Sequence, residues 1–544
     1  MSTVDSRCYY SRQTSPLPPE LWGRVIQCLS NKDTRSFFSA CRFFHDLAFP
    51  ALFSHVVLRF GLWRADDEKN HADDDLEDSD QPDYGRTFQV VLGTEHKHEV
   101  AQNHMRTCEM LYCILHTPGF ARVVRKLSVH AYILEDREGT FELYALREAL
   151  LVMKNITSFH WDGRRPLPSA FVLDALAESS GHILRDLSLP YDNVTDSCLT
   201  KFTRLQTLAL HRPNQYGVDV YTGGSDSVYI SEVVKANQDT LKSLSLYGNA
   251  AWKCPVGSLL HLQELELILP VSGADFALIL TQCADLRYLT LNISLGFNIE
   301  LIDVLESHSA ALPHLTAFKL LNANIPERLA ASLATFLQNK KSLRMLDLAC
   351  KTDHGGGVAL PLLEVLPQLP ALDVLGLTRV MSGDEMEGAE IDLLGRYIPE
   401  CVSALMLRLD VERERTCSKW IDLVAKLPAL RYLHILDSEI CDGLKTQLRE
   451  NLPRLRSLEL LGFGPYVRWV ERGDSERDMV RLGDAWRFRK VRFCTAEDFG
   501  CHADWEWLFR HHALGALVSR SFPSPRRSKL ISPIGTPVRF GNIV

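Results

Sequence analysis

Fourteen cysteines and 19 histidines are the chain's candidate nucleophiles and metal ligands. The cysteines run from Cys8 to Cys501 and no two form a Cys-x-x-Cys pair. A tetrahedral zinc site or a dithiol redox site needs two thiolates held close by such spacing, so zinc-finger, RING and thioredoxin-type chemistry is excluded. Cys494, Cys501, His502 and His511 are the densest ligand-type set. Their spacing fits no zinc pattern, and packing in a C-terminal cap is the expectation for them. His96, His98 and His104 fall in a polar segment and are expected to be solvated. Gly355, Gly356 and Gly357 are not followed by Lys-Ser/Thr, so they read as a turn and not as a phosphate cradle. No dinucleotide fingerprint, His-Glu-x-x-His or Gly-x-Ser-x-Gly is present. The expectation is therefore no catalytic residue, no metal, no cofactor and no enzyme activity.

The 544 residues are 46% hydrophobic and 24% charged, with a net charge of −8. That balance excludes disordered, collagen-like and membrane-embedded classes. No window approaches the ~18 apolar residues of a membrane span, and the N-terminus MSTVDSRCYYSRQTSP has no export signal. The sequons at Asn155, Asn193 and Asn292 then read as chance matches. Scattered single cysteines fit a reducing compartment, so a cytoplasmic or nuclear location is expected. The charge is uneven. Residues 66–83 hold ten Asp/Glu and one Lys, whereas from Arg510 to Val544 there are five Arg, one Lys and no acid. Both stretches are expected to be solvated and flexible. The Ser524, Ser532 and Thr536 Ser/Thr-Pro steps in the tail are frequent enough in such tails to be chance.

The side chains between these ends must be positioned by a repeat. An apolar residue, two variable ones, an apolar residue, one variable and an apolar residue recur at Leu184/Leu187/Leu189, Leu205/Leu208/Leu210, Leu241/Leu244/Leu246 and onward to Leu430/Leu433/Ile435 and Leu455/Leu458/Leu460. Weaker copies stand at Val124/Leu127/Val129, Ile156/Phe159/Trp161 and Phe488/Val491/Phe493. The 14 copies return every 28 residues on average. The last two apolar positions lie two apart, so on a short strand they share one face. Between strands the period switches to helical, as in residues 299–312, 326–337 and 417–427. Residues 212–231 read as an inserted surface loop.

This pattern resembles the leucine-rich repeat, which implies an α/β solenoid: a horseshoe with parallel strands on its concave face. The family's usual Asn or Cys three residues after the last strand leucine is met by Asn249 alone; Asp192, Pro270, Ser294 and Ala323 occupy other copies. The buried side-chain ladder of that position is therefore not expected, and curvature should be irregular.

Residues 17–58 precede the repeats. Leu17-Pro18-Pro19-Glu20 reads as a helix entry, and Leu21, Val25, Ile26 and Leu29 lie on one face of that helix. Asn31 or Asp33 can cap a second helix carrying Phe37, Phe38 and Cys41, and a third segment holds Phe44, Leu47, Leu52 and Phe53. Three short helices bury little apolar surface alone, so a partner or the repeats must cover them. Leu17-Pro18, Glu20-Leu21, Ile26, Leu29, Asp33 and Ala40-Cys41-Arg42-Phe43-Phe44 resemble an F-box, departing at Ser36 to Phe38, where aliphatic residues are commoner. The other reading is a helical cap with no dedicated partner. The resemblance implies a substrate receptor of an SCF-type cullin-RING ubiquitin ligase. Leu17, Pro18, Leu21, Ile26 and Leu29 would contact the linker subunit and, through it, cullin, with Phe38 and Cys41 in the internal core. The alternative is a repeat scaffold outside any ligase.

Residues flanking the buried strand pair are expected on the concave face, where the repeats would hold a protein substrate: Tyr247, Glu266, Tyr288, Lys319, Asp347, Arg408, Tyr432 and His434, with Glu264, Thr290, Asn292 and Glu459 among their neighbours. Acidic and basic positions are nearly balanced there, which gives neither a basic stripe for nucleic acid nor an arginine cluster for phosphate. Neither nucleic acid nor membrane is expected as a partner. The expected organisation is a flexible 1–14, a helical module over 15–58, a linker over 59–105, a repeat domain over 106–514 and a flexible tail over 515–544.

Overall fold

The structure, a computed structural model, describes residues 17–29, 31–62, 94–133, 140–190, 197–211, 227–247, 254–268, 276–293, 298–351, 360–378, 388–408, 417–436, 442–464, 466–473 and 480–512. The acidic stretch 66–83, the glycine trio, residues 1–14 and the basic tail from 513 lie outside them. So do residues 212–226 of the expected inserted loop; Ser227 already begins a helix. The chain divides into two compact units that meet in sequence between Leu315 and Thr316.

The first unit opens with three helices, α1 (Pro19–Gln27), α2 (Asn31–Ala40) and α3 (Arg42–Phe53). Its strands are β1 (His55–Gly61), β2 (Lys126–Tyr132), β3 (Ser158–Arg165), β4 (Asp186–Pro190), β5 (Thr207–His211), β6 (Ser243–Tyr247), β7 (Glu264–Ile268) and β8 (Tyr288–Asn292). Each pairs in parallel with the next. Between them run α4 (Thr94–His116), α5 (Pro118–Val123), α6 (Thr140–Val152), α7 (Ala170–Ser180), α8 (Ser227–Ala236) and α9 (Phe276–Gln282), with α10 (Asn298–Ser307) after β8.

The second unit continues the pattern with β9 (Ala317–Asn324), β10 (Met345–Lys351), β11 (Val374–Thr378), β12 (Ala404–Arg408), β13 (Tyr432–Ile435) and β14 (Leu460–Phe463), again parallel in chain order. The intervening helices are α11 (Glu327–Gln338), α12 (Leu360–Val365), α13 (Gly388–Tyr397), α14 (Cys417–Ala425) and α15 (Asp442–Asn451). Then β15 (Tyr466–Glu471) turns back antiparallel on β14, β16 (Arg481–Leu482) pairs with it, and α16 (Phe488–Arg492) and α17 (Ala503–Phe509) close the unit. Each repeat strand is followed by an α-helix or, after β4 and β6, by a short 3₁₀ turn (Ser197–Lys201, Val256–Ser258), and with the repeat strands parallel this is an α/β leucine-rich-repeat solenoid.

The leucines explain the ladder. Phe159, Leu187, Leu208, Leu244, Leu265 and Leu289 stand in register across β3 to β8, each at most 1% exposed. Phe318, Leu346, Leu375, Leu405, Leu433 and Leu461 do the same in the second unit. A strand and helix stacked on like neighbours share one continuous apolar layer that neither could bury alone. At each rung one carbonyl just before the strand accepts two successive N–H groups from the next repeat, as Arg185 O does from Gln206 and Thr207.

Three expectations change. The strand series begins at His55, inside the expected helical module and linker, because Phe53, Val56 and Leu58 already carry the repeat spacing. The copy at Phe488/Val491/Phe493 is the helix α16 and not a strand. The last repeat aligns three residues later than assigned: Leu461, not Leu458, pairs with Leu433. The spacing is self-similar under a three-residue shift, and Leu458/Leu461/Phe463 fits it as well as Leu455/Leu458/Leu460.

A polar ladder exists, but on the helix side of the repeats. Asn237 is 2% exposed, donates to Phe202 O (2.8 Å) and Val233 O (2.9 Å), and accepts from Leu205 N–H (2.8 Å). Ser180 Oγ donates to Met153 O (3.0 Å), Cys283 Sγ to Leu259 O (3.3 Å) and Cys401 Sγ to Leu372 O (3.1 Å). Each of these side chains, set at or just after the end of a repeat helix, satisfies a carbonyl of the preceding repeat, which is the role the missing strand-end Asn would have had.

Candidate functional site

Two surfaces carry the residues expected to bind partners: the outer face of the three-helix module and the strand faces of the repeats. In the module, Trp22 packs against Phe37 (centroids 6.0 Å) and edge-on to Phe44 (5.0 Å), and Phe38 meets His45 (4.2 Å) and Phe53 (5.9 Å). The Phe37–Phe38 pair thus builds an aromatic core where aliphatic residues were expected. Phe49 and Phe53 carry the packing on to Phe120 of α5, at 5.8 and 5.1 Å. The repeats therefore cover the inner side of the module.

The other side of α1 stays uncovered. Leu17, Leu21 and Val25, four residues apart, are 37, 43 and 37% exposed, with Pro18 exposed beside them. Leu29 is half-buried. Ile26 is 2% exposed; it points into the module and leaves the expected contact set, a correction that follows from the 100° step between it and Val25. Cys41, expected in the core, is exposed at the N-cap of α3.

On the strand face of the first unit, Glu266 and Tyr288 are half-buried and Tyr247 is 8% exposed, with Thr290 at 7%. The histidines here were not singled out, although each flanks a buried strand pair. His55 bonds Ser128 Oγ (3.0 Å), His160 bonds Ser158 Oγ (3.0 Å), and His211 bonds Ser188 Oγ (3.4 Å) and lies 4.0 Å from Asp162. Desolvation, with the neighbouring His55, His211 and Lys126 adding to it, holds His160 below the usual imidazole range against the pull of Asp186. Small and polar side chains such as Ser188, Ala209 and Ser245 run across β4 to β6 in register.

The second unit differs. Lys319, Asp347, Tyr432 and His434 were expected to face a partner, yet each is 0% exposed. The cover is the chain's own α17. Lys319 Nζ donates to Trp507 O (2.6 Å) and Leu508 O (3.2 Å), lies over the Trp507 ring at 4.4 Å and pairs with Asp347 at 3.0 Å. His512 Nε2 donates to Asp347 Oδ2 (2.7 Å). Though burial opposes it, His512 and Lys319 together hold the Asp347 carboxyl down at about 2. Tyr432 packs tilted against Trp505 (5.4 Å) and edge-on to Phe499 (5.9 Å), and His434 meets Phe509 (5.1 Å). The Tyr432 hydroxyl donates to His434 Nδ1 (2.9 Å) and His434 Nε2 donates to Gly464 O (2.8 Å). Burial pushes His434 down to about 4, so the neutral tautomer that fits both bonds is the form the fold holds.

Two strand glycines make room for this arrangement. A Cβ on Gly376 would sit 2.3 Å from Asp347 Oδ1, and one on Gly462 2.4 Å from His434 Nδ1. The rim is polar: Arg344 pairs with Asp504 (2.9 Å), and Arg431 pairs with Glu459 (2.8 Å) and reaches His502 (3.2 Å). Arg408 ends β12, and its side chain is outside those described. Among the described residues no group of three or more His, Cys, Asp or Glu could hold a metal ion, and no helix is long and apolar enough to cross a membrane. Cys501 and His502 lie in the turn that leads into α17; His502 packs on Trp505 (4.2 Å), whereas Cys501, expected to pack in the cap, is exposed.

The repeat geometry gives the described residues a leucine-rich-repeat fold. No family model matches the chain, and no curated protein does. Among solved structures it is similar to the leucine-rich-repeat protein LegL7 of Legionella pneumophila, at 17% identity and TM-score 0.34, covering 58% of this chain and 93% of that one. A second is a Toll-like receptor 13 complex with single-stranded RNA, at 14% identity and TM-score 0.25, covering 64% of this chain and 41% of that one. A third, from Bacteroides fragilis, has 11% identity and TM-score 0.22, with 65 and 68% covered.

Proposed function

We propose that the protein is a protein-interaction scaffold that serves as a substrate receptor of an SCF-type cullin-RING ubiquitin ligase. In this reading α1 docks on the linker subunit and, through it, on cullin, while the repeat strands hold a protein substrate. The observation that carries it is the exposed apolar stripe Leu17, Leu21 and Val25 on a helix whose opposite face is already committed to packing. An amphipathic helix in water normally hides its apolar side, and three apolar residues left in one row suit a partner's groove. The F-box-like order of residues around that stripe supplies the partner's identity.

The receptor's mechanism is proximity. Holding a substrate lysine beside a charged ubiquitin-conjugating enzyme raises its effective concentration without a bond being broken by this chain. The cytosol or nucleus is the compartment where this role is exercised. Co-purification of the intact protein with purified linker subunit tests the reading: binding at micromolar Kd or tighter supports it. A well-folded protein that leaves the linker subunit in the flow-through leaves the scaffold without a ligase.

A further inference from the structure

We propose that the strand face of the second unit is a peptide-recognition site that the chain's own segment His502–His512 occupies as a displaceable internal ligand. The partner it fits is a short aromatic-rich helix with a histidine or other N–H-donating side chain a few residues beyond it. This rests on reading the repeat strands as the partner surface and is independent of docking by α1.

The covered face has the make-up of an interface and not of a core. Trp505, Trp507, Leu508 and Phe509 are at most 7% exposed and form the apolar centre, and the ion pairs of Arg344 and Arg431 form a polar rim. Beneath the centre lie a charged pair, a histidine and a tyrosine. A layer covered for good is more stable when apolar, because a buried ion pair seldom outweighs the cost of its desolvation. Groups that face water when the site is open carry no such cost in that state.

Each polar group reads one feature of the occupant. Lys319 takes the carbonyls of Trp507 and Leu508 in the last turn of α17, where a helix leaves its C=O groups without partners. Asp347 takes the imidazole of His512. The fit is incomplete, since Asp347 Oδ1 is buried without a hydrogen-bond partner.

The segment is also built to move. Gly500 and Cys501, just before α17, both hold left-handed backbone (φ 65° and 67°), which costs a non-glycine residue about 1 kcal/mol. His502 stands at the N-cap of α17 without a side-chain capping bond to the helix, its ring turned to Arg431 instead. A helix of seven residues does not persist alone in water, so release and unwinding of the segment are one event.

Hydrogen exchange on the intact protein and peptide binding together test this. Amides of residues 503–510 are expected to exchange at least about 100-fold faster than those of β10 to β13. A fluorescein-labelled peptide with the sequence of residues 502–512 is expected to bind a chain ending at Gly500 at least tenfold more tightly than the intact chain. Asp347→Asn in the shortened chain should weaken that binding about tenfold. Exchange of 503–510 in one event with β10 to β13 would overturn the proposal. So would a folded shortened chain that ignores the peptide, or a shortened chain that cannot fold, since the segment would then be an obligatory part of the core.

Discussion

Replacing Asn237 with alanine isolates the polar ladder that joins neighbouring repeats. Its side chain accepts from Leu205 N–H and donates to the carbonyls of Phe202 and Val233, all within 2.9 Å. The Val233 carbonyl keeps a second donor, the Asn237 backbone N–H at 3.2 Å. Leu205 N–H and Phe202 C=O keep none of the side chain's bonds. A buried polar group stripped of its partner costs about 1–3 kcal/mol, so the two together place the loss near 3 kcal/mol, a large share of a typical total of about 5–15 kcal/mol. Because repeats depend on their immediate neighbours, the loss should be local. Amides of β5 and β6 are expected to exchange about 100-fold faster, at roughly 1.4 kcal/mol per decade. The urea midpoint by far-UV circular dichroism should fall, while the exposed-site control Asp239→Ala leaves it within about 0.5 kcal/mol. An Asn237→Ala protein with the control's midpoint and exchange pattern would refute the ladder.

Two further outcomes concern the closed strand face. His434 is held near 4, below its ordinary 6.5, so between those values the unfolded chain binds a proton that the folded chain refuses. Stability is full above about pH 6.5 and is lost as the pH falls toward 4, by about 2 kcal/mol at pH 5; urea midpoints from pH 7 to 5 should fall less steeply in His434→Gln. Gly462→Ala places a Cβ against the His434 ring and should raise exchange at residues 503–510 at least tenfold, which an unchanged rate would contradict.

Much of the repeat was legible because its signal is short-range: apolar positions two apart on a strand, then helical spacing, recur within every 28 residues or so. The errors came from the same locality. The spacing at Phe53, Val56 and Leu58 was hidden inside a helical reading, and the shift at Leu455 to Leu461 could not be resolved because both alignments satisfy the pattern. Asn237 is an ordinary polar residue in sequence; only the stacked preceding repeat adds Leu205 N–H and Phe202 O to the Val233 carbonyl of its own helix. The cover on Lys319 and Asp347 was beyond local reading altogether, since their partners Trp507 and His512 lie 188 and 165 residues away. On α1, helical periodicity placed Leu21 and Ile26 on one broad face, and the tertiary packing of the module decided which of the two was spent on its own core.

That division on α1 supplies the most direct test of the proposed role. Purified linker subunit is titrated into the intact protein, Leu21→Asp and Ile26→Asp, with far-UV circular dichroism and melting recorded for each. Micromolar or tighter binding by the intact protein, at least tenfold weaker binding by a Leu21→Asp protein that melts normally, and a lowered melting temperature for Ile26→Asp are predicted. An intact protein that does not bind, or a Leu21→Asp protein that binds as well as the intact one, contradicts the docking face.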